Sequence, residues 1–383
     1  MLFAKPRLDD DEKSVLKRIR ELRERLEVQL AEPRRWHGRL RRQSFARALR
    51  GSNSIEGFNA ALDDAAAIVD REAPIDATEE TEAAYRGYRD AMTYVIQLSA
   101  DADFVYSEQL IKSLHFMMTS YDLKNSPGRW RPGAIWVRDE ASGDIVYEGA
   151  DRDLVPELIG ELVEDLNADS DSPALLSAAM AHLNLVMIHP FRDGNGRMAR
   201  CLQSLVLAGK RILSPVFMSI EEYLGANTPA YYEVLRNVGG GAWQPQRDAR
   251  PWIRFTLTAH LRQAQTVLRR IRESERLWED LEQLVRKLGV PERSIGALFD
   301  ATWGFRIRNA TYRTAVEESS GEAITEGTAS RDLKQLVDAG LLAGQGERRG
   351  RVYSAGPPLL ELRQAMIGRR SFEVVPDPFD TAA

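Results

Sequence analysis

Cysteine is nearly absent from this chain of 383 residues, and lysine is scarce. The single cysteine, Cys201, excludes an internal disulfide and a cysteine-based zinc site. A chain without disulfides fits a reducing compartment, so we expect a cytoplasmic protein. Lysine occurs eight times against 44 arginines. Because the arginines are spread along the whole chain, their number alone does not indicate a binding surface.

An excess of positive charge and a long apolar run are also missing. The 52 basic side chains face 57 acidic ones, which excludes a surface that coats polyanions along its whole extent. The most apolar stretch, residues 174–188, contains Ser177, His182 and Asn184 and is too short to span a bilayer comfortably. The first residues lack the charged-then-apolar layout of a signal peptide. We therefore expect no membrane contact and a buried helix at 174–188.

Apolar residues recur at helical spacing over most of the chain. The composition, 43% hydrophobic and 28% charged, is typical of a soluble globular protein, and the length favours two or three domains. Two β-rich triplets, 135–137 and 145–147, surround a connection with Gly143 and predict a hairpin. The predicted fold class is therefore mainly α. The longer helices are predicted at residues 11–32, 107–117, 154–166, 172–188, 197–208 and 252–288.

Residues 294–360 form a separate pattern. Thr328 to Gly340 predicts a capped helix that ends at glycine, and a short hairpin is predicted after it. Helices followed by a small hairpin are typical of a winged helix-turn-helix domain. The predicted recognition helix carries Arg331 and Lys334, and the wing carries Arg348, Arg349 and Arg351. Because residues 326–353 hold five basic and four acidic side chains, DNA binding, protein docking and dimer formation all stay open.

One segment between two predicted helices carries the residue types of a phosphate-transfer site. Gly194-Asn195-Gly196 lets the backbone turn sharply, and the following helix presents unpaired N–H groups, which bind phosphate. Arg197 and Arg200 are three residues apart, so they share a helix face and can point to one polyphosphate. Asp193 suits Mg²⁺, and His189 suits removal of a proton from a hydroxyl. A simple turn, the alternative interpretation, requires none of these side chains.

The segment from His189 to Arg200 resembles, position for position, the motif HPFx(D/E)GNGRxxR of the Fic family. The resemblance implies a Fic-fold helical bundle that transfers AMP from ATP to a protein hydroxyl and releases pyrophosphate, a reaction called AMPylation. It makes His189 the general base on the target Ser, Thr or Tyr, and Asp193 the Mg²⁺ ligand. Phe191 would pack inward and hold the loop. The implied ATP-binding residues are Gly194, Asn195, Gly196, Arg197, Met198, Ala199 and Arg200, the last on the γ-phosphate.

A second segment, Ser52-Asn53-Ser54-Ile55-Glu56-Gly57, is similar to the inhibitory motif (S/T)xxxE(G/N) of the same family. Ser52, Glu56 and Gly57 match its defined positions, and its place ahead of the core is typical of class II members. The resemblance implies that Glu56 lies on a helix packed against the active site and pairs with Arg200, which removes the partner of the γ-phosphate. The alternative is a capping box, with Asn53 capping a helix and Glu56 as its third residue.

Two further residue groups complete the implied site. The hairpin residues Ile135, Trp136 and Val137 lie where the family keeps a flap that pairs with the target's backbone, a form of β-augmentation. A hairpin with a purely structural role is the alternative. Tyr232, the second of a tyrosine pair, would lie against the adenine, although aromatic residues at helical spacing more often belong to a core. Gly239 stands where some relatives offer an asparagine, and glycine has no side chain that could form a hydrogen bond to the adenine.

The primary hypothesis is a self-inhibited, Mg²⁺-dependent protein adenylyltransferase that uses ATP to modify an unidentified target protein and itself. One alternative is a winged-helix regulator that binds DNA and senses nucleotide through its core. Another is an enzyme that removes AMP with the same site. A homodimer is left open. The predicted domains are an N-terminal module (1–100), a Fic core (101–260), a connecting helix (261–293), a winged helix (294–360) and a C-terminal tail (361–383).

Overall fold

The structure of the chain is a computed structural model that describes residues 1–101, 103–138, 142–168, 171–212, 217, 219–346, 350–370 and 376–380. These residues fall into two compact units. Unit 1 comprises Met1–Arg23, Arg47–Ala264 and Asp377–Ala383, and unit 2 comprises Glu24–Ala46 and Gln265–Pro376. The domain boundaries proposed from the sequence stay predictions.

The chain is mainly helical, as predicted. Among the residues described, no helix is both long enough and apolar enough to cross a membrane. The described helices are α1 (Asp10–Ala31), α2 (His37–Ile55), α3 (Leu62–Val69), α4 (Glu79–Leu98), α5 (Glu108–Thr119), α6 (Val155–Asn167), α7 (Ala174–Ile188), α8 (Asn195–Gly209), α9 (Glu221–Ala226), α10 (Thr228–Gly239), α11 (Arg250–Leu288), α12 (Ile295–Thr302), α13 (Asn309–Ser320), α14 (Glu326–Asp338) and α15 (Pro357–Gly368). The strands are β1 (Trp136–Arg138), β2 (Ile145–Glu148), β3 (Leu342–Gln345) and β4 (Val352–Ala355).

The apolar stripes that predicted the helices are the faces that these helices bury. In α5, Ile111, Leu114 and Met118 are at most 2% exposed, and the Ser107 side chain caps the helix by accepting a hydrogen bond from the Leu110 N–H. α7 is apolar on nearly every side and almost fully buried, as predicted for residues 174–188. α7 and α8 pack against each other. The turn between them therefore begins and ends on packed helices.

The predicted hairpin in unit 1 is confirmed. β1 and β2 pair antiparallel, with Trp136 opposite Glu148 and Val137 opposite Tyr147, and a register shift follows Val137. The Tyr147 hydroxyl donates to the Met187 carbonyl oxygen at 2.8 Å, which ties the hairpin to the end of α7. The hairpin is thereby positioned next to the segment that carries the motif.

In unit 2, the predicted hairpin after α14 is confirmed as the antiparallel pair β3 and β4. A bridge that the sequence did not suggest joins Ile307 to Tyr353 through two backbone hydrogen bonds of 2.7 and 2.8 Å. The predicted start of α14 at Thr328 is wrong, because Thr325 caps the helix and accepts from the Thr328 N–H. Arg348 and Arg349 of the predicted wing lie outside the described residues. The segment assigned to a C-terminal tail begins within α15.

A buried ion pair provides a test of the packing in unit 2. Arg39 and Asp300 are 1% and 2% exposed, and Arg39 Nη1 lies 2.5 Å from Asp300 Oδ2. Gln43 donates to the other carboxylate oxygen at 3.0 Å. Since Asp300→Ala leaves Arg39 with only the 42% exposed Glu318, we expect a loss of about 3 kcal/mol in the free energy of unfolding. Chemical denaturation should show this loss, whereas Asp338→Ala, which removes an exposed acid, should change stability little.

Candidate functional site

The predicted phosphate-binding segment is the turn between α7 and α8. His189 follows α7 in the left-handed region with a φ of 54°, and Gly194 precedes α8 with a φ of 75°, which favours glycine. α8 begins at Asn195, two residues earlier than predicted. The N–H groups of Asn195, Gly196 and Arg197 therefore make the first turn of the helix, where no intrahelical acceptor exists. These donors and the helix dipole favour an anion at this end of α8.

The Asn195 side chain braces the loop. Its Oδ1 accepts from the Phe191 N–H at 2.9 Å, and its Nδ2 donates to the Phe191 carbonyl oxygen at 2.9 Å. Both polar atoms of the side-chain amide thus form hydrogen bonds within the protein, so the backbone N–H of Asn195 is the group available to a phosphate. The side chains of Met198 and Ala199, also predicted to bind ATP, are 0% exposed. Any contact of these two residues with ATP would likewise involve the backbone.

Phe191 anchors the loop in the core, as the resemblance implies, and is 0% exposed. Its ring stacks on His115 of α5, with ring centroids 3.6 Å apart and an interplanar angle of 2°. His115 Nδ1 accepts from the Gly128 N–H at 2.9 Å, so Nε2 carries the hydrogen and donates to the Asp193 carbonyl oxygen at 2.8 Å. Burial lowers the pKa of His115 to about 4, which keeps this neutral tautomer. His115 thereby clamps the loop from a neighbouring helix.

Sequence reasoning missed His115, although a signal for it was present. The residue lies on the same stripe of α5 as Ile111, Leu114 and Met118, which is the buried face. A titratable ring on a buried face requires hydrogen-bond partners. The spacing could therefore have indicated a structural histidine, but the identity of its partners depends on the tertiary fold.

His189 is held in the tautomer that a general base requires. Its Nδ1 lies 3.1 Å from the Val186 carbonyl oxygen. Because a carbonyl only accepts, Nδ1 carries the hydrogen and Nε2 keeps its lone pair. Burial, the largest cause, and the charge of Arg131 lower the pKa of His189 to about 4, against the opposing charges of Glu56 and Asp193. The ring is therefore neutral at pH 7.

Arg131 ties His189 to the hairpin and was not predicted from the sequence. Its Nε donates to the His189 carbonyl oxygen at 2.7 Å, and its Nη atoms donate to the carbonyl oxygens of Gly133 and Ala150. The side chain is buried, with the residue only 3% exposed. No sequence signal separates this arginine from the 43 others, because its role depends on three backbone oxygens that only the fold brings together.

Arg197 and Asp193 form one side of the site. Arg197 Nη2 lies 3.1 Å from Asp193 Oδ2, and Nη1 donates to the Tyr121 hydroxyl at 2.9 Å. The guanidinium carbon also lies 5.1 Å from the centroid of the Phe58 ring, a cation–π contact. Arg197 is fully buried, whereas the Asp193 side chain is 44% exposed. The carboxylate is therefore accessible to an ion from solution, and the arginine is fixed.

Arg200 meets the predicted inhibitory segment. Its Nε donates to Ser52 Oγ at 2.7 Å, and its Nη2 donates to the Ser52 carbonyl oxygen at 3.0 Å and to Glu56 Oε1 at 2.6 Å. Burial opposes the charged forms of both groups, but their mutual attraction prevails. It raises the pKa of Arg200 and, together with Arg197, lowers the pKa of Glu56. The structure thus brings Ser52, Glu56 and Arg200 together as the resemblance implies.

The capping-box alternative for this segment is wrong. α2 runs through to Ile55, so Asn53 lies in its last turn and Glu56 directly follows its end. The Asn53 side chain donates to the Leu49 carbonyl oxygen at 2.8 Å within the helix. Gly57, with a φ of 83°, lets the chain turn away. Glu56 is therefore presented by the C-terminus of a helix.

The Glu56 carboxylate occupies the anion position at the start of α8. A Cβ placed on Gly196 would lie 2.3 Å from Glu56 Oε1 and 3.0 Å from Arg200 Nη1, so only glycine leaves room for this contact. Arg200 Nη1 is buried and has no hydrogen-bond partner among the described residues. A buried donor of this kind, facing the first turn of a helix, suits a second anionic oxygen.

A buried carboxyl that sequence reasoning missed lies close to the predicted inhibitory segment. Glu221 of α9 is 2% exposed, lies close enough to Arg200 to feel its charge and accepts from the Tyr88 hydroxyl at 2.6 Å. Burial raises the pKa of Glu221 to about 7. A Cβ on Gly51 would lie 2.3 Å from the Glu221 carbonyl oxygen, so α2 and α9 are in backbone contact. This contact fixes the turn of α2 just before Ser52.

The remaining predicted residues lie around the site. Tyr232 is 44% exposed, and its hydroxyl donates to the Ile55 carbonyl oxygen at 3.0 Å, next to Glu56. Trp136 of the hairpin is 47% exposed, and Ile135 and Val137 are partly buried. A Cβ on Gly239 would lie 3.1 Å from the Tyr147 ring, so this position serves packing. The roles of Tyr232 and the hairpin stay predictions.

Two fully buried histidines make the stability of unit 1 sensitive to acid. Burial lowers the pKa of His115 to about 4 and that of His182 to about 3, below the ordinary value near 6.5. Below pH 6.5 the unfolded chain therefore binds more protons than the folded chain, and stability falls as pH falls. Below pH 6.5 each ring, His189 included, should lose on the order of 1.4 kcal/mol of stability per pH unit, and Glu221, whose raised pKa acts in the opposite direction, should offset about one ring. Denaturation at pH 7, 6 and 5 measures the net loss. His182→Gln should give a shallower dependence, and equal stability at pH 7 and 5 would contradict the expectation.

Comparison with known proteins relates part of this sequence to one family. The sequence model of the Fic/DOC family matches residues 105–207. Protein adenylyltransferase Fic of Nematostella vectensis is 27% identical over 225 residues, which cover 56% of this chain and 46% of the relative. Protein adenylyltransferase fic-1 of Caenorhabditis briggsae is 33% identical over 116 residues, 29% of this chain and 20% of the relative. The chain thus matches less than half the length of these curated relatives.

A solved structure extends the likeness to the fold. The crystal structure of a Fic family protein from Desulfovibrio desulfuricans G20 superposes with a TM-score of 0.57 at 19% sequence identity, covering 92% of this chain and 98% of the other. At this identity the likeness concerns the fold alone. Residues 105–207 therefore match the Fic/DOC family in sequence, and over the rest of the chain the likeness to this structure concerns the fold.

Proposed function

We propose that the chain is a protein adenylyltransferase that Glu56 holds in an inhibited state. The observation that carries the proposal is the position of the Glu56 carboxylate, 2.6 Å from Arg200 Nη2 and at the first turn of α8. The same position offers backbone donors and a buried guanidinium to the phosphates of ATP. A carboxylate and a phosphate cannot both occupy it. ATP therefore binds productively only when Glu56 has left.

The chemical step rests on His189. Its Nε2 has a free lone pair at pH 7 and takes the proton of the target hydroxyl as the hydroxyl oxygen attacks the α-phosphorus of ATP. A phosphorus–oxygen bond forms on one side, the bond to the β-phosphate breaks on the other, and pyrophosphate leaves. Catalysis then comes mainly from positioning and from the charge of α8 and the arginines.

The residues present fit Mg²⁺, with Asp193 as the protein ligand. Its carboxylate is 44% exposed beside the start of α8, and Mg²⁺ typically binds one or two carboxylates plus substrate phosphates. No group of three metal-binding side chains occurs within the described part of the chain, so phosphate oxygens and water would complete the coordination. When bound, the ion would supply positive charge to the phosphates.

For the target, we propose a peptide segment that lies along the hairpin. Trp136 of β1 is 47% exposed and Ile145 of β2 is 51% exposed, so apolar side chains face solvent on a two-stranded sheet. An extended segment can pair with a strand edge through its backbone and present a hydroxyl next to the sheet. The tie between Tyr147 and Met187 fixes this sheet close to His189.

For unit 2, we propose a winged helix formed by α12, α13, α14 and the β3–β4 hairpin. The order of three helices followed by a hairpin supports it, as does the bridge from Ile307, which adds a third short strand segment.

The experiment that tests the function uses α-labelled ATP and a cell lysate. The Glu56→Gly variant should transfer label to itself and to a target protein, and mass spectrometry should show the mass of AMP on a Ser, Thr or Tyr. A second incubation with a target already carrying AMP tests the reverse reaction. Release of AMP without any forward labelling would replace the proposal by an AMP-removing activity.

A further inference from the structure

Unit 2 contains a cleft that the proposed function does not use. It has a volume of about 250 Å³ and lies between the second half of α11 and the end of α15. Five arginines line it, and we call it the arginine cleft: Arg269, Arg272, Arg276, Arg369 and Arg370. Two carboxylates, Glu273 and Asp280, also border it, which leaves an excess of three positive charges.

Helical spacing places three of these arginines on one face. Arg269, Arg272 and Arg276 are separated by three and four residues on α11, so they project to the same side. Glu273 pairs with two other arginines of the cleft, because its Oε1 lies 2.8 Å from Arg370 Nε and 3.7 Å from Arg269 Nε. Its side chain is only 11% exposed. The cleft thus has one fixed wall of paired charges.

The other arginines are not neutralised. Within the part of the chain that the structure describes, the side chains of Arg272, Arg276 and Arg369 form no ion pair or hydrogen bond. Arg272 and Arg276 stand four residues apart, where like charges on a helix repel each other. A surface whose arginines outnumber the neighbouring carboxylates by three is electrostatically suited to an anionic ligand.

The floor of the cleft is apolar. Leu277 is 3% exposed, and Leu362 and Met366 of α15 also line the cavity. A free inorganic anion would leave this floor unused, whereas a ligand with an apolar or aromatic body and phosphate groups would use both parts. Planar guanidinium groups bind phosphate through two parallel hydrogen bonds, which ammonium groups cannot do.

We propose that the arginine cleft is a binding site for a small organic phosphate of the nucleotide class, with its phosphates on Arg272, Arg276 and Arg369 and its body on Leu277 and Met366. A concave site with an apolar floor and a few polar groups is typical of small-molecule pockets, which favours a compact ligand over a duplex. All lining residues belong to unit 2, so the site is separate from the α8 site of unit 1.

The test is calorimetric titration of the full chain with ADP and with tripolyphosphate. Both probes should bind the wild type, with ADP tighter because its body reaches the apolar floor. Arg272→Ala/Arg276→Ala should weaken ADP binding by about tenfold or more, since it removes two phosphate ligands. Arg286→Ala/Lys287→Ala is the matched control, because it removes two exposed charges from the same helix outside the cleft. This control should bind as the wild type does.

Three results would overturn the proposal. Equal weakening by the two double variants would indicate only general attraction to a basic surface. ADP binding that Arg200→Ala abolishes and that Arg272→Ala/Arg276→Ala leaves intact would place the nucleotide at α8. Binding of duplex DNA through Arg272 and Arg276, without ADP binding, would make the cleft a nucleic-acid contact. None of these measurements reads AMP transfer, so failure of the arginine cleft to bind ADP would leave the proposed enzymatic activity intact.

Discussion

Glu56→Gly is expected to raise self-labelling from α-labelled ATP by roughly 10- to 100-fold. A gain of this size is expected when the state that binds ATP productively makes up about 1–10% of the wild-type molecules. The physical reason is competition for one position. The Glu56 carboxylate lies 2.6 Å from Arg200 Nη2 and next to Gly196, where the phosphates of ATP would bind. Glycine removes the carboxylate, and the α8 donors become available.

Two control variants separate this effect from other consequences of the substitution. Glu56→Gln keeps the length of the side chain but not its charge, so it should give an intermediate rate. Glu157→Gly removes an exposed carboxylate from α6 and should leave labelling unchanged. If wild type and Glu56→Gly label equally, Glu56 is not inhibitory, and its contact with Arg200 has only a structural role.

Stability measurements provide an independent readout of the same competition. Glu56→Gly leaves Arg200, which is 1% exposed, without its carboxylate partner, and removal of one partner of a buried pair destabilises a protein. A phosphate can replace the lost anion. ATP with Mg²⁺ should therefore raise the melting temperature of the variant more than that of the wild type, because ligands stabilise the state that they bind.

The motif could be predicted from the sequence because its residues are close together in the chain. His189, Asp193 and Arg197 lie within one turn and the start of one helix, so their proximity follows from their spacing. The pairing of Glu56 with Arg200, 144 residues apart, was predictable only through the resemblance to a family. Periodicity located the helices for the same local reason, while the cap of α14 was misplaced because Thr325 and Thr328 are equally good caps.

The residues that support the motif could not be predicted in the same way. His115 reaches the Asp193 carbonyl oxygen from another helix, and Arg131 binds three backbone oxygens from different segments. The tertiary fold determines these partners, and the sequence around an arginine or a histidine does not indicate them. Glu221 is a further case, since its burial beneath Tyr88 depends on a backbone contact between α2 and α9.

His189→Ala is expected to lower AMP transfer by about 10²- to 10⁴-fold, the usual contribution of a general base. The measurement should be made in the Glu56→Gly background, where the rate is high enough for such a loss to be resolved. His37→Ala, which removes a histidine of unit 2, is the matched control and should retain full activity. ATP binding should survive in His189→Ala, because the phosphate position belongs to α8 and Arg200. Strong labelling by His189→Ala would assign the proton transfer to another group.

The pH profile of the Glu56→Gly enzyme tests the environment of His189 as well as its role. The base acts in its neutral form, so activity falls as pH falls through the pKa of the ring. Burial and Arg131 lower this pKa to about 4, and loss of the Glu56 charge by itself would lower it further. The kcat/KM of the free enzyme should therefore stay nearly constant from pH 8 to about 5, where an ordinary histidine would already have lost most of its activity. If kcat/KM declines around pH 6.5 while kcat does not, the His189 ring is solvated in the free enzyme once the Glu56 carboxylate is removed.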